Sequence, residues 1–135
     1  MAGADAVLLA VHWSRVDDVL AQAGDLAGRL VISCVLPLNE SNTELVVAHR
    51  DSGAEVLARR LPKARFVSAF NTIPSEVLFD VYEGRLKDQR PSLVLCGDDA
   101  HAKAQAAELI RTMGSFSSMR VRCASRATPS RSPCW

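Results

Sequence analysis

Four short apolar runs punctuate the chain, each closed by a turn or a helix signal. Ala6-Val7-Leu8-Leu9-Ala10-Val11 is continuously apolar, too short for a helix, and bounded by Asp5 and His12, so it predicts a central parallel strand covered on both faces. Leu30-Val31-Ile32-Ser33-Cys34-Val35 repeats the pattern and is stopped at Pro37. Phe66 to Phe70 is the third run, and Ser92-Leu93-Val94-Leu95-Cys96-Gly97 the fourth.

Between these runs the hydrophobic period changes from strand to helix. Ser14 is placed to cap a helix through Val16, Val19, Leu20 and Ala23, with Asp17 and Asp18 in its first turn and Gly24 or Gly28 at its end. A short helix from Ala54 to Leu61 opens at Ser52 or Gly53, turns Val56, Leu57 and Leu61 to one side, and ends at Pro62. After Phe70 the polar break Asn71-Thr72 and then Pro74 predict a strand, a tight turn and a helix running to about Tyr82. Asp98 or Asp99 caps a last helix through Ala102, Ala106, Leu109 and Ile110, closed by Gly114. Strands alternating with helix-length connections predict an α/β domain built on a parallel sheet covered on both sides. Residues 36–52 break the rhythm as a long polar loop, the kind that serves as a lid or binding loop.

Composition narrows the classes without choosing one. With 135 residues, 48% hydrophobic and 23% charged, and a net charge of +1, the chain fits one soluble domain and gives no electrostatic reason to bind nucleic acid. The run Ala6 to Val11 is far shorter than the ~20 residues that span a bilayer, and no basic segment precedes it, so a cytoplasmic setting without membrane contact is expected. Cys34, Cys96, Cys123 and Cys134 form no CxxC pair, and His12, His49 and His101 lie in separate segments, so no metal site is expected. Cys34 and Cys96 sit in apolar runs and read as buried thiols. Asn39-Glu40-Ser41 matches a glycosylation pattern, which means little without a secretory signal.

Candidate chemistry is sparse. No Gly-x-Ser-x-Gly elbow is present, and Gly97-Asp98-Asp99 reads as a helix cap before it reads as a ligand site. A Gly-x-Gly-x-x-Gly phosphate turn is absent from the 135 residues. Asn71 and its neighbours fall where open parallel sheets collect ligands, at the carboxyl ends of strands. From Ser115 to Trp135 the texture becomes Ser, Arg, Pro, Cys and Ala with no acidic residue, which reads as an irregular basic tail. Arg120, Arg122, Arg126 and Arg131 in it lack the interleaved aromatics that stack on bases.

Four blocks in order resemble the NADPH-dependent coenzyme F420 reductase family. They are Ala4-Asp5-Ala6-Val7-Leu8-Leu9-Ala10-Val11-His12-Trp13, Ser52-Gly53-Ala54-Glu55-Val56-Leu57-Ala58, Phe66-Val67-Ser68-Ala69-Phe70-Asn71-Thr72-Ile73-Pro74 and Leu95-Cys96-Gly97-Asp98-Asp99. Pyrroline-5-carboxylate reductases have a related N-terminal domain. The resemblance covers residues 4–114 and implies a partial Rossmann-like three-layer domain, an NADP-linked oxidoreductase, with residues 115–135 outside it. It implies NADP(H) and coenzyme F420 as cofactors, with Val11, His12, Ala69, Asn71 and Thr72 lining the nicotinamide side. His12 stands where the family usually has proline.

Both ends depart from the pattern. The family's first βαβ unit, with its Gly-rich turn and the strand that reads the 2′-phosphate, has no counterpart here, so weak NADPH binding and impaired activity are expected of this chain alone. An uncovered sheet edge would then favour a homodimer, or a non-enzymatic α/β module that pairs through that edge. Shifted by one nucleotide, GC-rich codons for residues 118–135 permit Asp-Ala-Gly-Pro-Leu-Arg-Val-Ala-Arg, similar to the family's next segment, so the tail is expected to be off-frame.

Overall fold

The computed structural model of the chain describes residues 4–48, 50–84 and 91–119. His49, Cys123, Cys134, the four tail arginines and most of the polar turn before Pro91 lie outside them. Strands β1 (Ala6–Leu9), β2 (Leu30–Ser33) and β3 (Arg65–Ser68) pair in parallel in that order. Their register aligns Leu9 with Ser33 and Ser33 with Ser68, so all three strands end at one edge. Strands β4 (Ser92–Leu95) and β5 (Phe116–Met119) form a second parallel pair.

The two strand blocks meet through one antiparallel bridge. Ser68 and Cys96 exchange both backbone bonds, Ser68 N–H to Cys96 C=O at 2.8 Å and Cys96 N–H to Ser68 C=O at 2.9 Å. Among the described residues the named strands pair in parallel, as the alternation of elements predicts, but the chain leaving β4 runs back along β3. Gly97 makes that reversal possible. A Cβ there would lie 2.6 Å from the Phe66 carbonyl oxygen and 3.4 Å from the Val67 Cα, both backbone atoms that cannot swing away.

Helices cover both faces. On one face α4 (Ala100–Thr112) packs Ala102, Ala106, Ala107 and Ile110 against Leu30, Ile32, Val67, Leu93 and Leu95. On the other, α1 (Val16–Ala23) and α2 (Gly53–Arg60) bring Val16 and Leu57 against Leu9, Val31, Val35 and Phe66. Alternate residues of β2 feed the two cores, which is the expected three-layer arrangement.

Local sequence explains where each helix begins. Ser52 and Glu55 form a reciprocal capping box at α2: the Ser52 hydroxyl accepts from Glu55 N–H and the Glu55 carboxylate accepts from Ser52 N–H at 2.7 Å. At α4 the Asp99 carboxylate accepts the Ala102 N–H at 2.8 Å. Ahead of α1 a 3-10 turn, Trp13–Arg15, intervenes, and its cap is His12 instead of the expected Ser14. The His12 ring reaches the Ser14 N–H, while the Ser14 hydroxyl bonds the ring itself. Helix α3 (Ser75–Glu83) starts directly after Pro74, whose extended ψ of 136° leaves it as the cap and not inside the first turn.

Two expectations need correction. Among the described residues strand β1 pairs only with β2, so it stands at the edge of this sheet, and Leu8 on it is 62% exposed. The tail was expected to carry no strand, yet Phe116–Met119 pairs with β4 and Ser115 is buried.

Replacing Gly97 with alanine forces the β3 and β4 backbones apart, and we expect a loss of about 1–3 kcal/mol in urea unfolding, as for other overpacked sites. An unchanged unfolding midpoint would show that the close approach is not a constraint. Asp99→Ala removes a cap, at a cost of about 1 kcal/mol near neutral pH. The Ala102 N–H bond holds the Asp99 carboxyl below its ordinary range, so its stabilisation is present above the unfolded-state value and fades as acid protonates the folded carboxylate. The stability gap between wild type and Asp99→Ala should accordingly close on acidification, and a gap constant down to strongly acid pH would rule the cap out.

Candidate functional site at the carboxyl edge of the parallel strands

Because β1, β2 and β3 end in register, the residues after them gather at one edge. Cys34 N–H donates to the Leu9 carbonyl at 3.2 Å and Ala69 N–H to the Ser33 carbonyl at 2.9 Å, which extends the alignment one residue past the strands. Val11 and His12 therefore share this edge with Ala69, Phe70, Asn71 and Thr72.

Ala69 is fully buried and its N–H is already engaged, leaving the carbonyl as its free backbone group. Phe70 has φ of +67°, a left-handed conformation that is rare for an aromatic residue. Its ring and Ile73 pack against the α4-side core, and the Ile73 N–H closes the turn on the Phe70 carbonyl at 3.2 Å. This turn carries Asn71 and Thr72 past the strand end. Asn71 is half-buried and Thr72 exposed, and among the described residues neither side chain is held by a hydrogen bond.

His12 is arranged differently from the open pocket residue expected. Its Nδ1 accepts the Ser14 N–H at 3.3 Å, so Nε2 carries the proton and donates to the Asn39 carbonyl and the Asn42 Oδ1, both at 3.1 Å. Both ring nitrogens are thus engaged within the protein. Asn39 in turn organises the polar loop: its Oδ1 accepts the Thr43 N–H at 2.9 Å, and its own N–H donates to the Glu44 carbonyl at 2.9 Å. Asn39 and Asn42 were missed as site residues. The signal available was an Asn two residues past a proline, the composition of an Asx turn.

Gly97-Asp98-Asp99 takes no part in this edge. The reversal at Ser68 and Cys96 carries it to the amino end of β3, beside Arg65, where it lines a cavity of about 210 Å³ with Ala58, Leu61 and Phe66. Arg65 there donates to the Gly28 carbonyl and to Gln105. Cys34, near the carboxyl edge, is half-buried and its thiol is pushed up by burial, which suppresses the reactive thiolate. Among the described residues there is no cluster of potential metal ligands, and no helix is long and apolar enough to cross a membrane.

The family described as NADP oxidoreductase, coenzyme F420-dependent, matches residues 1–37. Rat metalloreductase STEAP3 is 28% identical over 110 residues, which is 82% of this chain and 21% of that protein. Two crystal structures share the fold with TM-scores of 0.76: one assigned as an F420-dependent NADP-reductase from Arthrobacter sp. FB24, at 29% identity over 90% of this chain, and SMa0349 from Sinorhizobium meliloti, at 27% identity over 87%. The chain spans about a fifth of the curated relative and 56% of each solved chain. The ordered motifs, the shared fold and these likenesses together make the chain similar to coenzyme F420-dependent NADP oxidoreductases, with the family match itself confined to residues 1–37.

Proposed function

We propose that this chain supplies the nicotinamide-facing wall of an NADP-linked oxidoreductase that exchanges hydride between NADP(H) and the deazaflavin of coenzyme F420. The observation that carries the reading is the convergence of Val11, His12, Ala69, Asn71 and Thr72 at one edge of three in-register parallel strands, in a chain whose first 37 residues match this family. The nicotinamide and the deazaflavin carry the redox chemistry themselves, so the protein's work is to bind and orient them.

The residues present suit an amide-bearing ring. The free Ala69 carbonyl can accept from a carboxamide N–H, the Asn71 and Thr72 side chains are unheld and polar, and Val11 offers an apolar flank packed on the core. None of these groups is cationic, and the 135 residues hold no Gly-rich turn, so the cofactor phosphates gain no charge-assisted contact from this wall. Binding by this chain alone is therefore weak.

A second reading draws on Leu8. Its 62% exposure on edge strand β1 favours a non-enzymatic module, or a homodimer, that pairs through this edge.

Titrating NADPH while following backbone amide shifts should move Val11 and Ala69 through Ile73, with a dissociation constant far above the low-micromolar range. Asn71→Ala should weaken binding roughly fivefold, the worth of one hydrogen bond. Low-micromolar affinity by calorimetry, or shifts confined to Gly97 through Ala102, would contradict the reading, and turnover of F420 with NADPH tests the reaction itself. For edge pairing, light scattering should report a dimer that Leu8→Lys converts to monomer; a monomeric wild type at high concentration eliminates that alternative.

A further inference from the structure

We infer that His12 is a latch: a positioning residue that fastens the loop of residues 37–46 to the carboxyl edge of the parallel strands, so that this loop is a prebuilt wall of the site. The loop is already ordered within itself. Leu38 and Leu45 form an antiparallel bridge, Val46 N–H donates to the Pro37 carbonyl at 2.8 Å, and the Asn39 carboxamide gathers Thr43 and Glu44. One end is anchored by Pro37, which is buried against Gly53 at the start of α2, where an added Cβ would lie 3.1 Å from the proline ring.

The tip has a different anchor. Across 27 and 30 residues of sequence, the single Nε2–H of His12 reaches both the Asn39 carbonyl and the Asn42 side chain. Asn42 is held in the left-handed region at φ of +57°, which asparagine tolerates better than most residues, and this turn presents its Oδ1 to the ring. The other ring nitrogen caps the 3-10 turn at Trp13–Arg15. One imidazole thus joins the end of β1, the start of the following turn and the loop after β2. An Nδ1 acceptor fixes the neutral tautomer, and that tautomer supplies the donor the loop requires.

The two halves of the latch can be separated. His12→Asn keeps an acceptor near the Nδ1 position, and asparagine is a good cap, but it cannot reach the loop. His12→Gln keeps a donor near the Nε2 position and gives up the cap. Amide exchange at Asn39, Thr43 and Val46 reports opening of the loop, while Ile32 and Val67 report the core. Loss of the loop bonds should raise exchange at the three loop amides about fivefold in His12→Asn, with the core amides unchanged. In His12→Gln the loop amides should stay within about twofold of wild type. Loop protection that survives in His12→Asn, or acceleration shared equally by the core, overturns the latch. That the latched loop shapes a cofactor pocket rests on the function proposed above, and it is tested separately. If NADPH shifts no residue at this edge, that reading fails while the exchange result stands. If NADPH binds there, His12→Asn should weaken it several-fold; an affinity equal to that of wild type would disprove the link between latch and site.

Discussion

The burial of β2 on both faces is the constraint on which the arrangement depends. Leu30 and Ile32 enter the core beneath α4, and Val31 enters the one beneath α1 and α2, so a slip of one residue would exchange the two sets. The register of β1 and β3 is fixed through β2, because each pairs with it residue for residue. A common end for all three strands follows from that alignment. The site inherits its geometry from packing: the backbone bonds of Cys34 to Leu9 and of Ala69 to Ser33 bring the segments after the strands to the same level.

The reversal between β3 and β4 divides the molecule functionally. A strand parallel to β3 would have delivered Gly97-Asp98-Asp99 to the edge occupied by Asn71 and Thr72, making a carboxylate pair beside the proposed ring site. Instead the bridge at Ser68 and Cys96 sends those residues to the amino end of β3. There Asp99 caps α4, and Gly97 exists for the close approach to Phe66. A hydride-transfer site does not need those carboxylates, since neither partner requires a protein acid to complete the exchange of a hydride. The separation keeps Asp98 and Asp99 away from the carboxyl edge and from the proposed ring site.

Much of this was legible in the order of residues. The four apolar runs became β1 to β4, the helix starts read as Ser52 or Gly53 and as Asp98 or Asp99 resolved to Ser52 and Asp99, and the break at Asn71-Thr72 marked the turn. What the sequence hid is what depends on partners distant along the chain. Leu8 reads as buried because its run is wholly apolar, yet it is 62% exposed among the described residues. Phe116–Met119 carries no strand period, and its pairing with β4 depends on a strand more than 20 residues earlier in the chain. The direction of β4 relative to β3 has no local signature, since the same apolar run serves a strand of either sense. His12 illustrates the limit most sharply: its bonds to Asn39 and Asn42 cross 27 and 30 residues, and no spacing rule connects them.

Two local departures from ordinary backbone and side-chain usage meet at the same edge, and their coincidence bears on function. Phe70 adopts a left-handed φ, a conformation that costs of the order of 1–3 kcal/mol and persists where surrounding packing enforces it. Here the packing of Phe70 and Ile73 into the α4-side core supplies that enforcement, and the result is a sharp exit from β3 that projects Asn71 and Thr72. Across the edge, the His12 Nε2–H holds the loop after β2 while its Nδ1 caps the turn after β1. Neither feature is needed to complete the sheet, whose hydrogen bonds are already made by β1, β2 and β3. Both fix the positions of polar groups just beyond it, and rigid placement of a few polar groups is what orienting a flat ring for hydride transfer demands.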